Sequence, residues 1–255
     1  MDIVVCYKVV PEEQDITVLP DRTLSFDRAE LQIGQYDLNA VEAGVQLVES
    51  VGGKVSALTV GSSQVENTKL KKALLSRGPQ ELFVVSDEKI ENMDSFSTAS
   101  ILAAAVKKLE NYDLILCGEG SSDLYAQQVG VQLGELLDIP TINGVSKIIP
   151  NGSSVIVERT LESTIEVLEV HLPAVLSVTT DINVTRVPSM KEILGAGKKP
   201  STKWQLEDLN LEDIKKNVEI ISTLAPEKVE RKHVVIDGDS PEQVAELFEH
   251  IRKVL

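Results

Sequence analysis

Short runs that are apolar on both faces constrain the fold of this chain more than any other feature. Ile3-Val4-Val5-Cys6 and Leu114-Ile115-Leu116-Cys117 contain no polar residue, so a strand built from either run needs cover on both sides. Strands of this kind belong to parallel sheets that carry helices on each face. The sequence therefore predicts an α/β fold with a doubly wound, mostly parallel sheet and with ligand-binding loops at the carboxyl ends of the strands.

Predicted strands and helices alternate through the first two thirds of the chain. Each apolar run is followed by a segment with helical spacing, as Leu38, Val41 and Val45 show before Gly52-Gly53 would end that helix. The predicted strands are residues 3–10, 55–60, 82–85 and 114–117, and the predicted helices begin near residues 35–37, 70, 97 and 126.

The pattern changes after Pro140. Residues 155–159 and 165–172 are predicted to form an antiparallel pair with one wet face, because apolar residues alternate with glutamates in the second run. A turn at 161–164 would join them. Residues 173–178 then return to a buried strand, so the parallel sheet is expected to carry an antiparallel extension.

From Asn183 the chain turns polar and irregular. This change predicts a nucleotide-binding α/β domain at residues 1–182 and an arm at residues 183–255. Near the end, Ser240 as N-cap, Pro241 at the first helical position and Gln243 for the capping box predict a last helix.

Charge and reactive side chains exclude several functional classes. The formal net charge of −15 makes nucleic acid an unfavourable partner. Cys6 and Cys117 are too few for a disulfide framework, and the chain has no Cys-x-x-Cys motif that would suggest a metal site. The three histidines lie away from any nucleophile motif, so no catalytic residue is predicted.

The apolar runs are too short to span a bilayer and the N-terminus has no signal pattern, so a cytoplasmic protein without membrane insertion is expected.

The loop after the predicted strand 114–117 is a candidate ligand site. It contains Gly118, Ser122 and Asp123, and the next helix was expected to begin around residues 124–128. Glycines allow close approach of a ligand, and helix N-termini favour anions, so the loop could bind phosphate or ribose. A capped helix start with Ser122 or Asp123 as N-cap and no ligand explains the same residues equally well.

Two further loops are expected at the same edge of the sheet. Gln35-Tyr36-Asp37 starts the first helix, with Asp37 as an alternative N-cap, and Val60-Gly61-Ser62-Ser63 follows the second strand, with Ser63 as a possible N-cap. Three strand-to-helix loops with small or polar residues favour a nucleotide cleft more than any single loop does.

Six segments of the chain carry the motifs of a known family, in that family's order: residues 6–11, 36–43, 118–123, 127–130, 157–177 and 188–191. Together they extend over essentially the whole chain. On these segments the chain resembles the beta subunits of electron transfer flavoproteins, and within them the bacterial Fix-type branch.

The resemblance implies a Rossmann-like, adenine-nucleotide-binding subunit that pairs with a larger alpha subunit carrying FAD. The chain would shuttle electrons between acyl-CoA-type or carnitine-type dehydrogenases and a quinone-reductase or ferredoxin-type acceptor, and its C-terminal arm would wrap the alpha subunit. The implied nucleotide-binding residues are Cys6, Gln35, Tyr36, Asp37, Val60, Gly118, Ser122, Asp123, Gln127, Gln128, Val129 and Gly130, and the implied partner-binding residues are Arg186, Val187, Pro188, Met190 and Lys191.

Two alternatives remain open at this point. The nucleotide could be AMP or a second FAD, and the Fix-type resemblance favours FAD. The chain could also be a stand-alone nucleotide-binding regulatory protein of the universal-stress type, although the long segment after Asn183 favours a subunit.

Overall fold

A nine-stranded sheet dominates the computed structural model, which describes residues 1–109, 111–211, 214, 216–229 and 233–253. The strands are β1 (Asp2–Cys6), β2 (Val9–Pro11), β3 (Thr17–Val18), β4 (Leu24–Ser25), β5 (Leu31–Ile33), β6 (Lys54–Gly61), β7 (Glu81–Ser86), β8 (Leu114–Gly118), β9 (Thr141–Asn151), β10 (Ser154–Thr160), β11 (Ile165–His171), β12 (Ala174–Val178) and β13 (Ser201–Trp204). The helices are α1 (Gln35–Val51), α2 (Thr68–Leu75), α3 (Ser95–Lys108), α4 (Val129–Leu137), α5 (Met190–Ala196) and α6 (Pro241–Arg252).

The strand order confirms the predicted fold class. The sheet runs β11-β10-β9-β12-β8-β1-β6-β7-β13. In this order, every neighbouring pair from β9 to the β13 edge is parallel. At the other end of the sheet, β10 pairs antiparallel with both β9 and β11. From β1 the chain first builds one side of the sheet with β6 and β7, then crosses to the other side with β8.

The apolar runs fill two cores, one on each face of the sheet. Ile3, Val5 and Leu116 belong to the core on the α1 and α2 face. The alternate residues Val4 and Ile115 belong to the core on the α3 and α4 face. Since successive side chains of a strand point to opposite faces, a strand covered on both sides needs apolar residues at every position.

The start of α4 differs from the prediction. The helix begins at Val129, with Gln128 at its N-cap and no side-chain capping bond, so neither Ser122 nor Asp123 caps it. Tyr125 and Gln127 have φ angles of 45° and 56°, in the left-handed region. A right-handed helix does not continue through such residues, and residues 119–128 therefore form a loop.

Three further predictions need correction. Ser63 does not cap α2, because a short 3-10 turn at Ser63–Glu66 comes first and the Asn67 side chain accepts hydrogen bonds from the backbone N–H groups of Lys69 and Leu70. The predicted strand at 3–10 is divided into β1 and β2. The segment after Asn183, expected to be irregular, contains α5 and the edge strand β13.

The chain forms two compact units. The first comprises Met1–Thr17 and Ser25–Ser222 and holds the whole nine-stranded sheet. The second comprises Val18–Leu24 and Thr223–Leu255. It contains α6, which begins with the predicted capping box of Ser240 and Gln243 and leaves Val244, Leu247, Phe248 and Ile251 exposed.

Candidate functional site

The carboxyl ends of β1 and β8 lie side by side where the strand order reverses. Val5 pairs with Leu116 in parallel register, so Lys8 follows β1 at the same edge where the 119–128 loop follows β8. In open α/β sheets, ligands bind at this position, because the loops that follow the two strands run in opposite directions and leave a crevice between them. The topology therefore places the candidate site between these two strand ends.

Asp37 connects three segments at the base of the site. It lies in the first turn of α1, whose N-cap is Gly34, so it is not the cap. Its Oδ2 accepts a hydrogen bond from the Lys8 backbone N–H at 2.7 Å, and its Oδ1 accepts one from the Gly118 N–H at 3.2 Å. Burial raises the pKa of Asp37 to about 7, although these two bonds act in the opposite direction.

Gly118 allows β8 to end against α1. A Cβ at this position would lie 2.5 Å from Asp37 Oδ1 and 2.7 Å from Tyr36 Cβ. Any larger residue would therefore push the loop away from the helix and break the contact with Asp37.

An ion pair spans the mouth of the site. Lys8 Nζ lies 2.6 Å and 2.8 Å from the two carboxylate oxygens of Asp123 and donates to Ser121 Oγ at 3.4 Å. Burial alone would raise the pKa of Asp123, but the hydrogen bonds from Lys8 and Ser121 hold it below its usual value. Beside this pair the hydroxyl oxygen of Ser122 is buried and has no hydrogen-bond partner among the described residues.

Two tyrosines and a glutamate form the outer part of the site. The rings of Tyr36 and Tyr125 are 5.5 Å apart between centroids, and their hydroxyls are 3.4 Å apart. Glu119 accepts hydrogen bonds from the Tyr125 hydroxyl and the Gln127 amide. The hydrogen bond with Tyr36 is the largest cause of the raised pKa of Tyr125.

The structure brings most of the predicted nucleotide-binding residues to this edge. Tyr36, Asp37, Gly118, Ser122 and Asp123 lie together, as described above. Gln127 and Gln128 end the loop, where Gln127 bonds to Glu119 and Gln128 accepts a hydrogen bond from Ser95.

Other predicted residues have packing roles. Cys6 is buried beside Cys117, and the neighbouring thiol together with burial raises the pKa of Cys6, which disfavours the thiolate. A Cβ on Gly130 would collide with the Ser177 hydroxyl, so this glycine brings α4 close to β12. Val129 packs in the core on the α3 and α4 face, as does Val60, which lies on the far side of β1 from β8. Gln35 bonds along α1 to Asn39.

Sequence reasoning left three polar residues out of the site: Lys8, Glu119 and Tyr125. Lys8 could have been included, because it directly follows a buried strand in the resembling segment. Glu119 also lies in a resembling segment, whereas Tyr125 gave no signal, since its role depends on the loop conformation that replaces the expected helix start.

The predicted partner segment is only partly accessible. Val187 and Met190 are exposed, and Lys191 is exposed as well. Pro188 precedes Ser189, which caps α5 through a capping box with Glu192. The guanidinium of Arg186 instead points back to α1 and pairs with Glu42 and Glu49.

The described residues contain neither a metal-binding cluster nor a membrane-spanning helix. Within the described part of the chain, His, Cys, Asp and Glu side chains form no group of three that could hold a metal ion. Over those same residues, every helix is too short or too polar to cross a bilayer.

The family of the chain follows from a match to a protein-family model. The electron transfer flavoprotein domain profile matches residues 23–209, well over half of the chain. The matched range includes Asp37, Gly118 and Asp123, which lie at the candidate site. The chain is therefore a member of the electron transfer flavoprotein domain family.

Proposed function

We propose that this chain is the beta subunit of a heterodimeric electron transfer flavoprotein and binds an adenine nucleotide between the ends of β1 and β8. The single observation that supports this most is the polar cluster at the reversal of strand order, built by Asp37, Gly118 and the Lys8–Asp123 pair. Family membership supplies the electron-transfer role. The nucleotide is AMP or a second FAD, and the resemblance to the Fix-type branch favours FAD.

The polar groups of the cleft fit a nucleotide. Carboxylates of Asp123 and Glu119 can accept hydrogen bonds from ribose hydroxyls, and the unpartnered Ser122 hydroxyl offers a further polar contact. The first N–H groups of α4 have no side-chain cap, and such groups favour a phosphate. Lys8 contributes a positive charge to the loop that precedes this helix, where it pairs with Asp123.

The outer tyrosines suit the planar part of a nucleotide. Tyr36 and Tyr125 have adjacent tilted rings at the mouth of the cleft, and aromatic rings pack well on a purine or flavin ring. A flavin, when bound, supplies the capacity to accept and donate electrons. The role of the chain itself is to bind and orient the nucleotide and to exclude water from it.

The proposal includes two protein contacts. The exposed apolar face of α6 would pack against the alpha subunit, which carries FAD, because an amphipathic helix of this kind needs a partner for its apolar side. The segment with Val187 and Met190 would contact an acyl-CoA-type or carnitine-type dehydrogenase, and a quinone-reductase or ferredoxin-type protein would accept the electrons. We place this complex in the cytoplasm.

Nucleotide and flavin content provide the first test. The chain would be co-expressed with the alpha-type subunit from its genomic neighbourhood, purified as a complex and denatured, and the released AMP and FAD would be counted. One flavin with one AMP supports the nucleotide site and assigns AMP to it, whereas two flavins assign FAD. A colourless, nucleotide-free protein that ignores the alpha subunit on size exclusion would reject the proposal and favour the stand-alone regulatory alternative.

Asp123→Ala tests the site itself. The change removes the carboxylate that pairs with Lys8 but removes no core residue, so the complex should stay folded and lose most of its bound nucleotide. Glu81→Ala is a matched control. Glu81 forms a similar ion pair with Lys54, but at the amino ends of β7 and β6, whereas the candidate site lies at the carboxyl ends of the strands. Equal nucleotide content in the two variants after dialysis would show that the loop is assigned incorrectly.

A further inference from the structure

A polar stripe runs along one face of α1. Asn39, Glu42, Gln46 and Glu49 recur at spacings of three and four residues, so their side chains lie on the same side of the helix. Asn39 and Glu42 are buried although they are polar. Buried polar side chains of this kind need hydrogen-bond partners, and here the partners come from residues 180–186.

Asn39 forms the first contacts of the stripe. Its Nδ2 donates to the carbonyl oxygens of Thr180 and Asn183 at 3.2 Å and 3.0 Å. In return, Asn183 Nδ2 donates to the Asn39 carbonyl oxygen at 3.0 Å. These bonds fix the chain where it leaves the sheet after β12.

Arg186 forms the remaining contacts. Its Nε and Nη2 donate to the two carboxylate oxygens of Glu42 at 2.7 Å and 3.1 Å, and its Nη1 and Nη2 donate to those of Glu49 at 2.8 Å and 3.1 Å. The Arg186 backbone N–H also donates to Glu42 Oε2 at 3.1 Å. Two side-on pairs on one guanidinium hold its plane and direction, which a lysine could not reproduce.

The electrostatics agree with this geometry. Burial would raise the pKa of Glu42, but hydrogen bonds from Arg186 and Gln46 outweigh it and hold the pKa below the usual value. The hydrogen bond from Arg186 also lowers the pKa of Glu49. Both carboxylates are therefore charged at neutral pH and bind the guanidinium as a pair of anions.

Residues 184–194, which we call the recognition segment, contain this anchor near their start. Val184 is 90% exposed, Val187 91%, Met190 71% and Leu194 72%, so its apolar side chains face solvent. The far end of α5 is held separately, since Ala196 is buried and Lys199 Nζ donates to the carbonyl oxygens of Leu75, at the end of α2, and Pro79, in the loop that follows.

We infer that Arg186 is a positioning residue, which binds the polar stripe of α1 and so holds the recognition segment in a preformed conformation for the dehydrogenase. The inference rests on the proposed function for the identity of the partner. In this inference the guanidinium binds Glu42 and Glu49, and the exposed apolar side chains of the recognition segment make the contacts with the partner. A segment ordered before binding loses less conformational entropy when the partner docks, so the anchor raises affinity without touching the partner.

Hydrogen exchange on the purified complex tests the anchor without any dehydrogenase. Glu49→Gln removes one side-on pair at an exposed position and leaves the fold safe, and Arg186→Lys keeps the charge but removes the planar fork. The backbone amides of residues 184–187 and 189 should exchange about tenfold faster in Arg186→Lys and severalfold faster in Glu49→Gln. Glu135→Gln, which removes an exposed glutamate from α4, should leave their exchange unchanged.

Steady-state kinetics provide the second readout. A purified acyl-CoA dehydrogenase would reduce the wild-type and variant complexes at varied concentrations of complex, with dichlorophenolindophenol as the final acceptor. The KM for the complex should rise severalfold in both anchor variants while kcat stays unchanged, since docking is weakened and the cofactors are not. Unchanged exchange in folded Arg186→Lys and Glu49→Gln would overturn the inference. A wild-type complex that the dehydrogenase does not reduce would instead count against the proposed function, and the exchange result would still decide on the anchor.

Discussion

At the residue scale, Asp37 shows how one side chain can organise a site and impose a cost on the fold. It joins the first turn of α1 to the backbone after β1 and at the end of β8. An apolar residue could pack in the same space but would leave both N–H groups without partners. A carboxylate satisfies both, yet its burial makes ionisation unfavourable and raises its pKa to about 7.

This shift predicts a dependence of stability on pH. Because the pKa of Asp37 is higher in the folded chain than the ordinary value of about 3.9, the folded state holds an extra proton between about pH 4 and pH 7. The stabilisation from this proton is complete below about pH 4 and is lost as pH rises to about 7. The slope is roughly 1.4 kcal/mol per pH unit in the middle of that window.

Asp37→Asn removes the titrating group and should remove this component of the slope. Urea unfolding of the wild type and the variant between pH 4.5 and 7.5 gives the two free energies of unfolding, and their difference isolates Asp37 from the other carboxylates. Asp239→Asn, at an exposed position, should follow the wild type. Parallel curves for the wild type and Asp37→Asn would show that Asp37 does not titrate in this range.

At the element scale, the sequence predicted the strands and helices whose residues carry a strong apolar pattern. β1 and β8 were recognisable because burial on both faces leaves no polar position. The start of α4 was not, since Tyr125 and Gln127 adopt left-handed backbone without the glycine or asparagine that usually signals it. β13 has the polar sequence Ser-Thr-Lys-Trp and depends on β7 for its existence, so no local pattern could indicate it.

The same limit applies to the site. The three loops could be placed at one edge because parallel strands end together, and this required only the strand assignments. The Lys8–Asp123 pair and the polar stripe of α1 join residues far apart in the chain. The prediction of α1 used the helical spacing of its apolar residues alone. The polar residues of the stripe, among them Asn39 and Glu42, repeat at the same spacing and were missed.

The cap of α2 gives a prediction at this scale. Asn67 accepts hydrogen bonds from the N–H groups of Lys69 at 2.9 Å and Leu70 at 3.3 Å, so Asn67→Ala should cost about 1 kcal/mol of unfolding free energy. Ser63→Ala should change it by less than about 0.5 kcal/mol, because Ser63 only begins the preceding 3-10 turn. Urea denaturation measures both, and a larger loss for Ser63→Ala would restore the original assignment of the cap.

At the scale of the whole molecule, one edge of the sheet is completed late in the chain. β13 pairs in parallel with β7, and its Trp204 stacks on Phe83 with ring centroids 5.0 Å apart. The Pro200 carbonyl also accepts a hydrogen bond from the Leu82 N–H. The strands of the first unit are therefore not all paired until residues 200–204 are in place.

Two truncations test this dependence. A chain that ends at Lys199 lacks β13 and should expose the edge of β7, so it should scatter light and lose protection of the β7 amides against exchange. A chain that ends at Ser222 keeps β13 and should retain both properties of the intact first unit. Equal behaviour of the two fragments would show that β13 is dispensable for the sheet.

The position of β13 has a consequence for biosynthesis. A ribosome releases β7 long before it releases the strand that covers it, so the nascent chain carries an open row of backbone N–H and carbonyl groups while residues 87–200 are being made. Such an edge can recruit strands from neighbouring nascent chains. Cells that make this protein at high rate should therefore depend on chaperones until the β13 codons have been read, and codon changes that slow translation between β7 and β13 should lower the yield of folded protein.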